Sequence, residues 1–123
     1  MRIINRKVAV TTTGNDASAT GSATLDGLCG FLLDVYFDFG STCPASTDTT
    51  IAYTTQGGNL LVITDSATDV LLAPRQKLVD NANGAIADSY ALFPINQALT
   101  ISLAGSNALA PAVTVYFRIL ILD

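Results

Sequence analysis

The sequence predicts an all-β fold, a single β-sandwich or jelly roll of about eight strands that spans residues 1–123. Three observations predict it. Thr, which favours strands over helices, occurs 15 times. Glu, a common residue of surface helices, is absent. Short segments in which apolar and polar residues alternate recur along the chain, separated by turn residues.

Strands of the first half follow from this alternation. Residues 2–13 place Ile4, Val8 and Val10 on one face and Lys7 on the other. Weaker or shorter strands are expected at 18–25, 49–55 and 60–65, the last two joined by a hairpin turn at 56–59. The clearest half-buried strand is 31–39, with Phe31, Leu33, Val35, Phe37 and Phe39 on one face and Asp34, Tyr36 and Asp38 facing solvent.

The second half predicts four further strands and one long loop. Strands are expected at 69–73, 90–93, 99–103 and 113–122. Residues 77–88 are expected to form a loop with room for one short helical turn. Within it, residues 80–84 superficially resemble the start of a calcium-binding EF-hand loop. Their glycine comes one place early and no Glu closes the loop, so a solvated turn is favoured.

The sequence of the last strand predicts that both of its faces are covered. Val113, Val115, Phe117, Ile119 and Ile121 form one apolar face. The opposite face, which should be polar in a simple sandwich, carries Tyr116, Leu120 and Leu122. Either a loop of the same chain covers this second face or a neighbouring subunit does. We favour the subunit, with Tyr116, Leu120 and Leu122 as candidate contacts.

Composition supports the idea of a partner. Only 13% of the residues are charged, whereas about 25% is usual for a soluble domain. The mean hydropathy is +0.44 and the net charge is −4. A surface so poor in charge is expected to be covered by other protein.

The residues that are missing exclude whole classes of function. Without His there is no Ser-His-Asp or Cys-His machinery and no imidazole metal ligand, and without Glu one common general acid is lost. We therefore expect no enzyme, no cofactor and no metal site. The six cations are scattered and form no basic face, so nucleic-acid binding is not expected.

The N-terminus and the cysteines indicate a cytosol-like compartment. The apolar residues after the first cations end at Thr11, too soon for a secretory signal, and no run is long enough for a membrane span. Cys29 and Cys43 are then expected to be reduced, buried thiols, with a disulfide as the alternative.

Segments of the second half resemble a known group of proteins. Asp69–Arg75, Asn83–Ala85, Tyr90–Ile95, Leu99–Gly105 and Val113–Phe117 resemble short motifs of small phage structural proteins. Several of these are jelly-roll decoration, or cement, proteins that sit as trimers on a capsid shell. The resemblance covers roughly residues 60–123. It implies a homotrimer that binds the major capsid protein at the capsid surface, with assembly in the host cytoplasm and no catalytic residues.

Exposure then suggests the capsid contacts. Either the N-terminal strand, through Ile3, Arg6 and Lys7, or the loop with Arg75 and Lys77 is expected to meet the capsid. The alternative function is a carbohydrate- or receptor-binding module of a phage tail or fibre. Sugar sites present exposed aromatic rings, and Tyr36 and Tyr116 are both expected on outward faces.

Overall fold

The computed structural model describes residues 1–27 and 29–121, and these residues form ten β-strands in antiparallel pairs. The described residues include no helix with the length and apolarity that a membrane crossing requires. The strands are β1 (Arg2–Val10), β2 (Ala19–Leu25), β3 (Gly30–Asp38), β4 (Asp48–Tyr53), β5 (Asn59–Ile63), β6 (Val70–Leu72), β7 (Arg75–Val79), β8 (Ala85–Ile95), β9 (Leu99–Ser106) and β10 (Val113–Ile121).

The strands build two sheets with the order of a jelly roll. One sheet has the order β1-β10-β3-β8 and the other β2-β9-β4-β5, so the chain passes back and forth between the sheets. β6 and β7 are additions to the first sheet, in which β6 pairs with β3 and β7 pairs with β8. The all-β sandwich that the sequence predicts is therefore confirmed. β7 is the one strand that the sequence does not predict, and no helical turn occurs among the described residues.

One hydrophobic core lies between the sheets. Alternation along the strands supplies it, as the registers Val8↔Val115 and Ile51↔Ile101 show. Buried apolar side chains come from both sheets and from the loops, and they include Val10, Leu25, Leu32, Val35, Phe37, Phe39, Ile51, Leu99, Ile101, Leu103, Val113, Val115, Phe117 and Ile119. Phe37 and Phe39 stack with their ring centroids 5.7 Å apart.

A β-bulge in β3 changes which of its residues face the core. Arg118 pairs with Asp34 but the next residue, Ile119, pairs with Leu32, so Leu33 is an extra residue. Leu32 is therefore buried, whereas Phe31 turns to the outside and is only half-buried. The expectation that Phe31 and Leu33 share the face of Val35 is wrong, because uninterrupted alternation cannot anticipate the bulge.

The expected loop at residues 77–88 is also wrong, because this segment is a β-hairpin. β7 and β8 pair through Arg75↔Leu92 and Lys77↔Tyr90, and the turn between them is closed by Asp80. The Asp80 carboxylate accepts hydrogen bonds from the backbone N–H of Ala82 (2.9 Å) and of Gly84 (2.8 Å). Since neither face of the hairpin is buried, it lacks the hydrophobic alternation from which a strand is predicted.

The two cysteines are free in the structure. Cys43 is half-buried and packs against the core, with its Sγ 3.3 Å from the Thr47 Oγ1. Cys29 is exposed, so the expectation of a buried thiol is wrong there.

Thr49, in the core-facing row of β4, is expected to be a stability defect. Its side chain is buried and its Oγ1 has no hydrogen-bond partner among the described residues. Replacing the hydroxyl by a methyl group in Thr49→Val removes the penalty of an unpaired polar atom, so the free energy of unfolding is expected to rise by about 1 kcal/mol. Urea unfolding followed by far-UV circular dichroism measures this. Thr50→Val, on the outward side of the same strand, is the control, and a Thr49→Val protein less stable than the wild type would contradict the assignment.

Tyr53 is expected to make the fold sensitive to alkali. Its hydroxyl donates to the Pro94 carbonyl oxygen (2.6 Å) and so ties the two sheets together. Burial raises the pKa of the Tyr53 phenol. As the pH rises past about 10 the unfolded chain loses this proton first. The stability contributed by Tyr53 is thus complete at lower pH and is lost as the pH rises through the raised folded pKa.

Tyr53→Phe tests this. The variant is expected to be about 1 kcal/mol less stable at neutral pH, through the lost hydrogen bond, and to lose less stability than the wild type on going to high pH. Unfolding midpoints across the alkaline range give the comparison. Equal alkaline losses in the two proteins would contradict it.

Candidate functional site on the outer face and the arm

The six-stranded sheet presents to the outside a grid of side chains that we call the outer face. Successive cross-strand pairs arrange it in four rows. The rows are Ala9–Thr114–Asp38, Lys7–Tyr116–Tyr36–Leu71, Asn5–Arg118–Asp34 and Ile3–Leu120–Phe31–Pro94. An aromatic row and an apolar row therefore lie on either side of a charged one.

The aromatic row is formed by two neighbouring tyrosines. Tyr36 is 38% exposed and Tyr116 is 42% exposed. Their ring centroids are 6.0 Å apart and the rings are inclined at 47°. Leu71, exposed on the short strand β6, continues the row beyond Tyr36. This row is an accessible, mostly apolar platform in the middle of the sheet.

The charged row is held by an ion pair between β3 and β10. The Nε of Arg118 donates to both carboxylate oxygens of Asp34, at 3.0 and 2.9 Å, and its Nη2 donates to Oδ2. Asp34 is only 8% exposed, so the expectation that it faces solvent is wrong. The hydrogen bonds and charge of Asp34 raise the pKa of Arg118. The pair fixes two planar polar groups beside the tyrosines.

The outer face holds side chains for which the sequence analysis expects two different partners, the capsid and a neighbouring subunit. Ile3 lies opposite Leu120, and Lys7 lies opposite Tyr116. Ile3 and Lys7 are the expected capsid contacts, and Leu120 and Tyr116 are the expected subunit contacts. In the structure all four lie on the same surface. Arg6 is different, because it alternates onto the core-facing side of β1, opposite Phe117, and remains exposed at the sheet edge. Leu122 lies outside the described residues.

An open pocket lies at the apolar end of the outer face. It has a volume of about 270 Å³ and is lined by Cys29, Gly30, Phe31, Pro94, Ile95 and Asn96. Gly30 is required there, because a Cβ at this position would lie 2.2 Å from the Leu120 carbonyl oxygen. Leu120, in the apolar row beside this pocket, is half-buried.

The second feature of the surface is a projecting hairpin, residues 77–90, which we call the arm. β8 pairs with β3 only through residues 93–95, and the rest of β8 pairs with β7 alone among the described residues. Every residue of the arm except Ser89 is exposed. Its exposed side chains include four large apolar ones, Leu78, Val79, Ile86 and Tyr90.

Arg75 anchors the base of the arm. Its Nη1 donates to the carbonyl oxygens of Leu33 (3.0 Å) and Pro74 (2.9 Å). Leu33 is the bulge residue of β3, at the point where pairing passes from β8 to β6. The structure thus gives Arg75 hydrogen bonds within its own chain, whereas Lys77 lies on the arm and is exposed.

The apolar residues of the arm were missed at the sequence level, although a signal for them exists. Asn83-Gly84 is a strong hairpin-turn dipeptide, and Leu78-Val79 and Ala85-Ile86 flank it. The ion pair between Asp34 and Arg118 is also not predicted from the sequence. Its contact depends on the register of two strands, and the two residues are 84 positions apart. No cluster of three or more potential metal ligands occurs among the described residues.

Comparisons with known proteins give a likeness in fold only. No protein-family model matches the chain, and no curated protein is similar to it in sequence. Among solved structures, it is similar to Caldicellulosiruptor saccharolyticus CBM27-1 in complex with mannohexaose, with 17% identity over 95% of this chain and 74% of that one and a TM-score of 0.40. It is also similar to VP2 of an infectious bursal disease virus subviral particle (12% identity, 96% of this chain, 32% of that one, TM-score 0.39).

A third similar structure is the enzymatically active domain of tailspike protein 4 from bacteriophage CBA120. The identity is 16% over 97% of this chain and 19% of that one, with a TM-score of 0.35. The similar structures thus include a viral particle protein, a phage tailspike and a protein bound to an oligosaccharide. Because the TM-scores and identities are low, these likenesses assign neither a family nor a function to the chain.

Proposed function

We propose that this chain is a structural protein of a phage virion, a decoration protein that binds the assembled shell and links adjacent capsomers. The arm carries this proposal, because it exposes four large apolar side chains on a hairpin that pairs with no other strand in the described part of the chain. The resemblance of residues 60–123 to small phage structural proteins points to the same function. The proposal involves no catalytic step and no cofactor.

The arm is the element that meets the major capsid protein. A two-stranded projection can reach into a groove between capsomers, and Lys77 supplies a cation beside its apolar residues. Arg75 holds the base of the arm in place through Leu33 and does not itself touch the capsid. Since the groove exists only when capsomers are assembled, binding stabilises the assembled state by mass action.

The outer face is then the contact between subunits of a homotrimer. Ile3, Lys7, Tyr116 and Leu120 form one continuous surface there, so they act together. This assignment moves Ile3 and Lys7 from the capsid to the subunit contact. A trimer presents three arms at once, and many trimers on one shell multiply modest contacts through avidity.

Co-sedimentation with shells tests the arm. The wild-type protein is expected to pellet with intact shells of the phage that encodes it but not with free coat subunits. Ile86→Asp places a charge on an arm residue that is 46% exposed, and it is expected to weaken shell binding by about tenfold. Thr24→Asp, exposed on the other sheet, is the control and should bind as the wild type does.

Two results would contradict the proposal. One is a wild-type protein that fails to pellet with shells, and the other is an Ile86→Asp protein that pellets as well as the wild type. A stable monomer at micromolar concentration in light scattering would contradict the trimer but leave the shell contact standing.

Glycan binding is the second candidate, and the aromatic row favours it. Tyr36 and Tyr116 are both accessible, and sugar rings stack on such faces beside fixed polar groups like those of Asp34 and Arg118. This function and the trimer contact compete for the same outer face. If the chain binds glycans on the outer face, that face is not the contact between subunits.

A glycan array followed by titration calorimetry tests the second candidate. If the outer face binds a glycan, Tyr36→Ala and Tyr116→Ala should each abolish the signal, because each removes half of the platform. Tyr90→Ala on the arm is the matched control and should leave binding unchanged. A wild-type protein that gives no array signal, or a signal that survives both substitutions, would rule out this candidate.

A further inference from the structure

The turn at the end of the arm contains the single Asn-Gly pair of the chain, Asn83-Gly84, and both residues are exposed. Asn is one of the thermally labile residues of proteins, because its side-chain amide can react with the backbone nitrogen of the residue that follows. A following Gly favours this reaction, since it has no side chain to obstruct that nitrogen. The sequence therefore places a favourable context for this chemistry at the end of the arm.

The reaction is a ring closure that needs neither a catalyst nor a cofactor. Gly84 loses its N–H proton, and its nitrogen attacks the side-chain carbonyl carbon of Asn83. A new C–N bond forms, the bond to the side-chain NH2 group breaks, and ammonia leaves with a proton equivalent to the one lost by Gly84. Water then opens the resulting five-membered succinimide at either carbonyl group, which leaves an aspartyl or an isoaspartyl residue at position 83.

The carboxylate of Asp80 contacts the atom that must react. Its Oδ1 accepts the Gly84 N–H at 2.8 Å. The backbone closes the turn as well, because the Asp80 N–H donates to the Gly84 carbonyl oxygen (2.8 Å) and the Asn83 N–H donates to the Asp80 carbonyl oxygen (3.0 Å). A Cβ on Gly84 would lie 3.0 Å from the Oδ2 of Asp80, so the carboxylate lies directly beside this residue.

A carboxylate at this distance opposes the first step of the reaction. Ring closure passes through the deprotonated Gly84 nitrogen, which carries a negative charge. A like charge beside an ionising group disfavours its charged form, and a hydrogen bond donated by the N–H stabilises the protonated form. Both effects act in the same direction on Gly84. Asp80 thereby protects Asn83 for as long as the turn is closed.

We infer that Asn83 is a site of spontaneous deamidation whose rate is set by Asp80. Opening of the turn separates the carboxylate from Gly84, and exposed segments open more readily than core strands do. Both products place a further negative charge at the end of the arm, and the isoaspartyl form also adds a methylene group to the backbone. The inference does not depend on shell binding, because the reaction requires only the turn and water.

Removal of the charge at position 80 tests the role of Asp80. Asp80→Asn keeps a side-chain oxygen that can accept the hydrogen bonds of the turn but carries no negative charge. Conversion of Asn83 at neutral pH, followed by peptide mapping with mass spectrometry, is expected to be at least about tenfold faster than in the wild type. Asp88→Asn is the matched control and should convert at the wild-type rate. It removes an equal charge from the arm at a φ of 56°, which Asn also adopts.

The wild-type protein allows a second comparison that needs no substitution. In urea that unfolds the chain, Asp80 is no longer held against Gly84, so Asn83 is expected to convert faster than in the folded protein at the same pH and temperature. This comparison tests the inference even if Asp80→Asn alters the arm.

Two results would overturn the inference. In one, Asp80→Asn converts Asn83 no faster than the wild type and Asp88→Asn do. In the other, the folded wild type converts Asn83 as fast as the unfolded chain does. Either result would show that the carboxylate does not protect Asn83. A failure of shell binding leaves both measurements unchanged.

Discussion

The pairing of β3 by two different strands along one edge is the constraint on which the outer surface depends. β8 pairs with residues 30–32 of β3, and β6 pairs with residues 35–37. The bulge at Leu33 separates the two, and the Arg75 side chain satisfies the carbonyl group exposed between them. Since β6 occupies the space in which β8 would otherwise run, the rest of β8 must leave the sheet. It does so with β7 as its partner, and the arm is the result.

The same arrangement distributes the few charges of the chain. Cations lie on the edges β1 and β7, and the sixth cation, Arg118, is joined to the largely buried Asp34 on the outer face. The arm carries Lys77, Asp80 and Asp88 beside its four large apolar side chains. The outer face and the arm are separate surfaces, so each can serve a different contact.

The sequence predicts the sandwich well because burial imposes alternation. β10 has one side against the core, and its alternating Val113, Val115, Phe117 and Ile119 are all buried. Prediction from the sequence fails for strands that have no buried face and at positions where a bulge shifts the strand register. The arm has no buried face and therefore no alternation. The bulge at Leu33 reverses the faces of Phe31 and Leu32, and the partner of Asp34 depends on strand pairing. The Asn83-Gly84 turn is visible in the sequence, but only the topology shows that it ends a projecting arm.

Hydrogen–deuterium exchange in the presence and absence of intact shells tests the central claim, that the arm is the shell contact, most directly. In the free protein the exposed backbone amides of residues 77–90 are expected to exchange rapidly. With saturating shells, the account predicts slowed exchange in this segment and no change in β2, whose outward side chains lie on the other sheet. Slowed exchange elsewhere, with residues 77–90 unchanged while the protein is demonstrably bound, would contradict it.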